Sequence, residues 1–150
     1  LSAVRHSFSQ GLLTKHYLFL THREVPWCEH HVTTPIAHHK SRRQAMIVQR
    51  GKNTPHRGKW YPADTRFRQV EGPIWEAVIT TGVTHQIRVH AASVGLVLAG
   101  DHIYGGKLTH PHAPAGAEFQ LHHTQLRGPV GGFPPLRVPK LAPPDWWTLQ

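Results

Sequence analysis

In residues 81–95, TGVTHQIRVHAASVG, a threonine, two histidines, a glutamine and an arginine crowd the beginning of a narrow apolar stripe. Ile87, Ala91 and Val94 recur at i, i+4 and i+7, which predicts a helix of about ten residues. Thr84 suits its N-cap, and Gly95 suits the position just past its end. A helix start offers free N–H groups and the positive end of a dipole. Thr84, His85, Gln86 and Arg88 there would make a donor-rich, cationic site for an anion, either a phosphate or a buried carboxylate. A capped helix whose polar groups are merely solvated would show the same residues. Arg88 falls on the border of the buried stripe.

Other chemistries find less support. Fifteen histidines invite a metal reading, above all the neighbours His30 and His31, His38 and His39, and His122 and His123. Adjacent residues on a strand point to opposite faces, and no H-E-x-x-H or C-x-x-C spacing occurs, so no metal site is expected. Cys28 is the sole cysteine, with nothing beside it to mark a nucleophile and no partner for an intrachain disulfide. GGK at 105–107 lacks the spacing of a phosphate-binding P-loop.

Charge is the strongest global signal: seventeen Lys and Arg against eight Asp and Glu give a formal +9 and a pI near 10.5. Lys40, Arg42, Arg43, Arg50, Lys52, Arg57, Lys59, Arg66 and Arg68 supply more than half of those cations, opposed only by Asp64. Such a segment is expected to bind RNA or DNA phosphates in a salt-dependent way, the bland alternative being a solvated basic loop. Mean hydropathy of −0.40 and the lack of a long apolar run argue against a bilayer span. Cysteine usage and the unremarkable N-terminus suggest a reducing compartment, the cytoplasm or an organellar matrix. The chain begins with Leu1, which suggests part of a longer protein.

Around the motif, KHYLFLTHRE (15–24) alternates as a strand with Tyr17 opposite Leu18 and Leu20. VTTPIA (32–37) is expected as an edge strand, QAMIVQ (44–49) as a strand, and residues 50–62 as a basic loop. ADTRFRQV and GPIWEAVITT predict a hairpin turning at Glu71 and Gly72. LVLAGD (96–101) is expected as a buried strand and EFQLHHTQL (118–126) as the last one, with a short helix in residues 1–13. Many strands and few helices imply an α+β domain over 1–127, mostly an antiparallel, mixed sheet. Residues 128–150 contain six prolines and are expected as a tail anchored by Trp146 and Trp147.

The segment TGVTHQIRVHAASVGLVLAGDHIYGG (81–106) resembles the most diagnostic stretch of the RluA-type RNA pseudouridine synthases, T-G-R-T-H-Q-I-R-V-H followed by G-D-x-x-Y-G. TKHYLFL is similar to that family's K-x-Y-x-A-L strand, ADTRFRQV to its A-x-T-x-F/Y strand, and LHHTQL (121–126) to its L-H-A-x-x-L segment. The resemblance implies an isomerase that detaches uracil, turns it and rejoins it through carbon 5, in ribosomal or transfer RNA, with no metal and no organic cofactor. It implies that Tyr17 stacks on the target base and helps remove the carbon 5 proton, and that Arg88 pairs with a catalytic aspartate. Thr84, His85, Gln86, His90, Gly100, Asp101, Tyr104 and Gly105 would then be scaffold.

Two departures bear on activity. Val83 stands where the family has arginine, which removes a cation and should weaken RNA contact. The nucleophile's H-R-L-D-x-x-T-S-G segment has no counterpart in residues 1–14, and Asp64, Asp101 and Asp145 are not its substitutes. The chain is therefore expected to be the C-terminal part of such a catalytic domain, incomplete at its N-terminus, with an exposed sheet edge open to association. The alternatives are a non-catalytic RNA-binding module of the same fold and a partner to a second chain that supplies the aspartate.

Overall fold

The structure, a computed structural model, describes residues 13–106, 121–130 and 133–137. Alternation in TKHYLFL builds β1 (Thr14–Leu20), sending Tyr17 and Phe19 to one face and Leu18 and Leu20 to the other. Eight further strands follow in chain order: β2 (Glu29–Val32), β3 (Ile36–His39), β4 (Met46–Val48), β5 (His56–Tyr61), β6 (Thr65–Glu71), β7 (Ile74–Ile79), β8 (Leu121–Val130) and β9 (Phe133–Arg137). Between β7 and β8 lies the helix α1 (Gln86–Ser93). Six strands form one sheet in the order β2-β6-β7-β1-β8-β9, and three form a second in the order β4-β3-β5. Every strand ladder among the described residues is antiparallel.

The small sheet is an excursion from the large one. Val32 of β2 pairs with Thr65 of β6, and the intervening residues 33–64 leave the large sheet and return to it. Helix α1 fills the space between the two sheets. Ile87 and Ala91 pack with Phe19, Phe67, Trp75 and Ala77 of the large sheet, while Val89 packs with Ile36, Met46 and Val48 of the small one. All six residues from Gln86 to Ala91 are consequently buried, polar ones included. The i, i+4, i+7 stripe marked only the face toward the large sheet.

Several expectations need correction. VTTPIA is not one strand: the chain breaks at Thr33, Thr34 and Pro35, and β2 and β3 join different sheets on either side. The basic stretch 50–62 is not all loop, because His56–Tyr61 forms the edge strand β5, with Gly58 in a left-handed conformation that hides the alternation. LVLAGD is not a strand either. It makes a single bridge, Leu98 to Thr21, and serves as buried filler, with Leu96 and Leu98 under the end of β1. A short apolar run is compatible with either environment. Strand β8 passes position 127 and pairs with β9, so sheet continues into the proline-rich segment. β9 is an edge strand, where a missing N–H is tolerated. The helix expected in residues 1–13 and the anchors Trp146 and Trp147 lie outside the described residues, save for buried Leu13. The hairpin at Glu71 and Gly72 is present, with Glu71 paired to Ile74 across a two-residue turn.

Candidate active site

Arg88 is held by Asp101. Its Nε and one Nη each donate to a different carboxylate oxygen at 2.9 Å, a two-point ion pair in which Arg88 is 8% exposed and Asp101 1%. The ring of Tyr104 lies 5.3 Å from the guanidinium carbon, adding a cation–π contact. The turn that presents Asp101 and Tyr104 follows from its glycines. Gly100 (φ 80°) and Gly105 (φ 99°) occupy left-handed conformations that cost other residues about 1 kcal/mol or more. The backbone N–H groups of Tyr104 and Gly106 both donate to the Asp101 carbonyl and close the turn.

Gly106 is needed for another reason. A Cβ there would collide with the Leu98 carbonyl oxygen and sit 2.7 Å from the Asp101 nitrogen. Gly106→Ala is therefore expected to cost about 1–3 kcal/mol and displace Asp101; a melting temperature equal to that of the unaltered protein would refute this.

The helix start differs from expectation. The N-cap is His85, in a left-handed conformation (φ 56°) with no side-chain cap bond, and Thr84 is exposed. Gln86 replaces the missing cap. Its Oε1 accepts from the Val83 N–H and the Thr81 hydroxyl, and its Nε2 donates to the Asp64 carbonyl and the Thr65 hydroxyl. His85 is fixed from the other side: Tyr104 Oη accepts the Met46 N–H at 2.9 Å and can donate its own proton to His85 Nδ1 at 2.8 Å. Burial raises the pKa of the Tyr104 phenol, and burial followed by the Arg88 charge lowers that of His85, so both stay neutral in this bond.

His90 closes the network. Fully buried, it donates from Nε2 to the Thr34 carbonyl at 2.8 Å and accepts the Thr65 hydroxyl at Nδ1, 2.7 Å away. The helix is thus tied to β6 and to the segment where the chain crosses between sheets. Burial lowers the His90 pKa, so the unfolded chain binds a proton at a higher pH than the folded one does. Stability is then full above about pH 6.5 and declines as pH falls from there toward the folded-state value. The melting temperature should drop on that acid limb, and His90→Gln should flatten the drop; an unchanged slope in that variant would remove His90 as its source.

Tyr17 lies on the helix-facing side of β1, opposite Ala77, and stacks on His123 of β8 with ring centroids 4.7 Å apart at 24°. Burial raises the pKa of its phenol. Neither the His123 stack nor the use of Asp101 as Arg88's partner was anticipated. Strand register between K-x-Y and L-H-x-x-L was the signal for the first; the second depends on the geometry of a glycine turn and had no such signal.

The nine basic candidates do not form one surface. Lys40, Arg42, Arg43, Arg50, Lys52, Arg57 and Lys59 belong to the small sheet and its loops. Arg66 and Arg68 alternate with core-facing Thr65 and Phe67 and project from the opposite face of the large sheet, where Arg68 pairs with Glu76 at 3.2 Å. Among the described residues no three His, Cys, Asp or Glu side chains are grouped to hold a metal ion, and no helix is long and apolar enough to cross a membrane.

No protein-family model matches the chain. It is, however, 37% identical over 101 residues to ribosomal large subunit pseudouridine synthase D of Nitrosomonas europaea, a match covering 64% of this chain and 26% of that protein. The Salmonella typhimurium protein of the same name is 35% identical over 120 residues, 68% of this chain and 33% of its own. Over the matched residues this chain is similar to RNA pseudouridine synthases of that name. An uncharacterized RNA pseudouridine synthase of Bacillus subtilis, YlyB, is 35% identical over 102 residues, 65% of this chain and 31% of its own. The chain spans a third or less of the length of these curated relatives. The fold agrees: human RNA pseudouridylate synthase domain containing 1 superposes with a TM-score of 0.72 over 94% of this chain and 59% of its own, at 22% identity. The α+β pseudouridine synthase fold expected from the sequence is thereby established for the described residues, with antiparallel sheets and one buried helix among them.

Proposed function

We propose that the protein carrying this chain isomerises uridine in RNA, with ribosomal RNA as the first substrate to test, and that Tyr17 and Arg88 serve that reaction. The reading is supported above all by the buried Arg88: an arginine held at a helix start by a two-point carboxylate and an aromatic ring is oriented before any substrate arrives. In the reaction the N1–C1′ bond breaks, the uracil turns, the C5–C1′ bond forms, the carbon 5 proton leaves and N1 takes one up. Atoms and electrons balance without an oxidant or a cofactor. Arg88 would orient the carboxylate of an H-R-L-D-like segment, and Tyr17 would pack on the base.

Val83 fits a weaker hold on RNA, because its side chain packs against the small-sheet cluster and offers no charge. Compartment follows substrate: the cytoplasm or an organellar matrix, wherever the RNA resides. Association through a sheet edge would use β2 or β9, of which β2 is short and carries Glu29, His30 and His31, features that discourage pairing.

A second reading, a non-catalytic RNA-binding module, is favoured by one observation: Asp101 already takes two donors of Arg88. Nucleoside chromatography of digested ribosomal RNA after incubation separates the two. New pseudouridine supports the enzyme, whereas bound but unmodified RNA supports the module. Pseudouridine that appears only with a second polypeptide would assign the aspartate to that partner.

A further inference from the structure

Three sizeable clefts are lined by described residues, and their charges differ. The cleft at the Gly72 hairpin includes Glu24 beside Arg23, and the one on the outer face of the large sheet includes Glu29 and Glu76 beside Arg66 and Arg68. The third, about 580 Å³, runs between β4, Val89, Ala92 and Ser93 of α1 and the 102–105 turn, and has no carboxylate in its lining. Its polar wall is His39, Arg42, Arg50 and His102, and its apolar floor includes Val89 and Tyr104. We infer that this groove binds the phosphodiester backbone of an RNA strand and leads it past Tyr104 toward Arg88.

Three observations carry the assignment. The first is charge complementarity: residues 40–63 contain seven Lys and Arg and no acid, so the strand that borders the groove has no internal competitor for its cations. The second is donor preorganisation. His39 Nδ1 accepts the backbone N–H groups of Ser41 and Arg42, at 3.2 and 3.0 Å. The ring proton must therefore sit on Nε2, which makes His39 a donor to whatever enters. Arg42 is likewise steadied, donating from one Nη to the Ile103 carbonyl across the groove at 2.9 Å, with further N–H groups left to its fork. The third is continuity: Tyr104, on the floor, packs on the Arg88 guanidinium, so a strand in the groove runs beside the candidate active site.

The inference rests on the RNA substrate proposed above and is tested through binding. Arg50→Glu and His102→Glu change exposed side chains, and Arg23→Glu is a charge-matched control from another cleft. Kd for a single-stranded RNA would be measured across a series of salt concentrations, with melting temperatures confirming intact folds. Arg50→Glu and His102→Glu are each expected to raise Kd about tenfold, with the log–log salt slope flattened by roughly 0.7 for each lost phosphate contact. Arg23→Glu should stay within about twofold. Equal losses in all three variants, or none in the two groove variants, would overturn the groove. Pseudouridine yield from the unaltered protein is read separately: RNA bound through Arg50 without pseudouridine sinks the proposed activity and leaves the groove standing, and pseudouridine with normal binding by both groove variants does the reverse.

Discussion

Arg88→Ala is expected to abolish tritium release from RNA labelled at uridine carbon 5 and to lower stability by about 3–5 kcal/mol, because it strands Asp101, 1% exposed, without its ion-pair partner. The two effects are separable. Arg88→Lys keeps a positive charge but cannot reproduce the parallel Nε and Nη bonds to Asp101. It should recover much of the stability, as read by denaturant midpoint, yet still slow release about 100-fold, the scale of losing one oriented electrostatic group. Full activity in the lysine variant would mean that charge alone suffices and that the orientation imposed by Asp101 is incidental to catalysis. Loss of stability without loss of release would make Arg88 purely structural.

Tyr17→Phe carries the second large effect. The phenylalanine ring preserves the stack on His123 and the packing against the helix-side core, so the variant should fold and bind RNA within about twofold of the unaltered protein. Only the phenolic oxygen is lost. If that oxygen takes the carbon 5 proton, release falls by about 10² to 10⁴. The pH profile gives an independent sign. Burial raises the Tyr17 pKa above its ordinary value, so a phenolate base becomes more abundant as pH rises, and release should climb through the neutral range without a plateau below about pH 10. A flat profile and an active phenylalanine variant would leave Tyr17 a stacking role alone.

Apolar and aromatic composition made β1 and β7 legible although β7 is buried along nearly its whole length, and the turn at Glu71 and Gly72 joined β7 to its neighbour; periodicity located β6, whose start alternates buried and exposed. It failed where burial is two-sided or the backbone departs from regularity. Helix α1 is enclosed by both sheets, so polar Gln86, Arg88 and His90 are as buried as Ile87, and only hydrogen-bond partners 13 to 56 residues away show why they are tolerated. β5 was hidden by its basic composition and by Gly58. LVLAGD had the composition of a strand, yet glycines with positive φ at both ends turn it into packed filler. For the site, the importance of Arg88 was legible from its place at the helix start, but its partner was not. Asp101 reaches it through a turn whose geometry depends on Gly100, Gly105 and Gly106 together, and no pairwise spacing rule encodes that.

The central claim is that Tyr17 and Arg88 belong to a uridine-isomerising site. Single-turnover tritium release from ribosomal RNA labelled at uridine carbon 5, by the unaltered protein in excess over RNA, tests it most directly. Release accompanied by a matching amount of pseudouridine is the predicted result. RNA fully bound, with no tritium released at any pH, would contradict it.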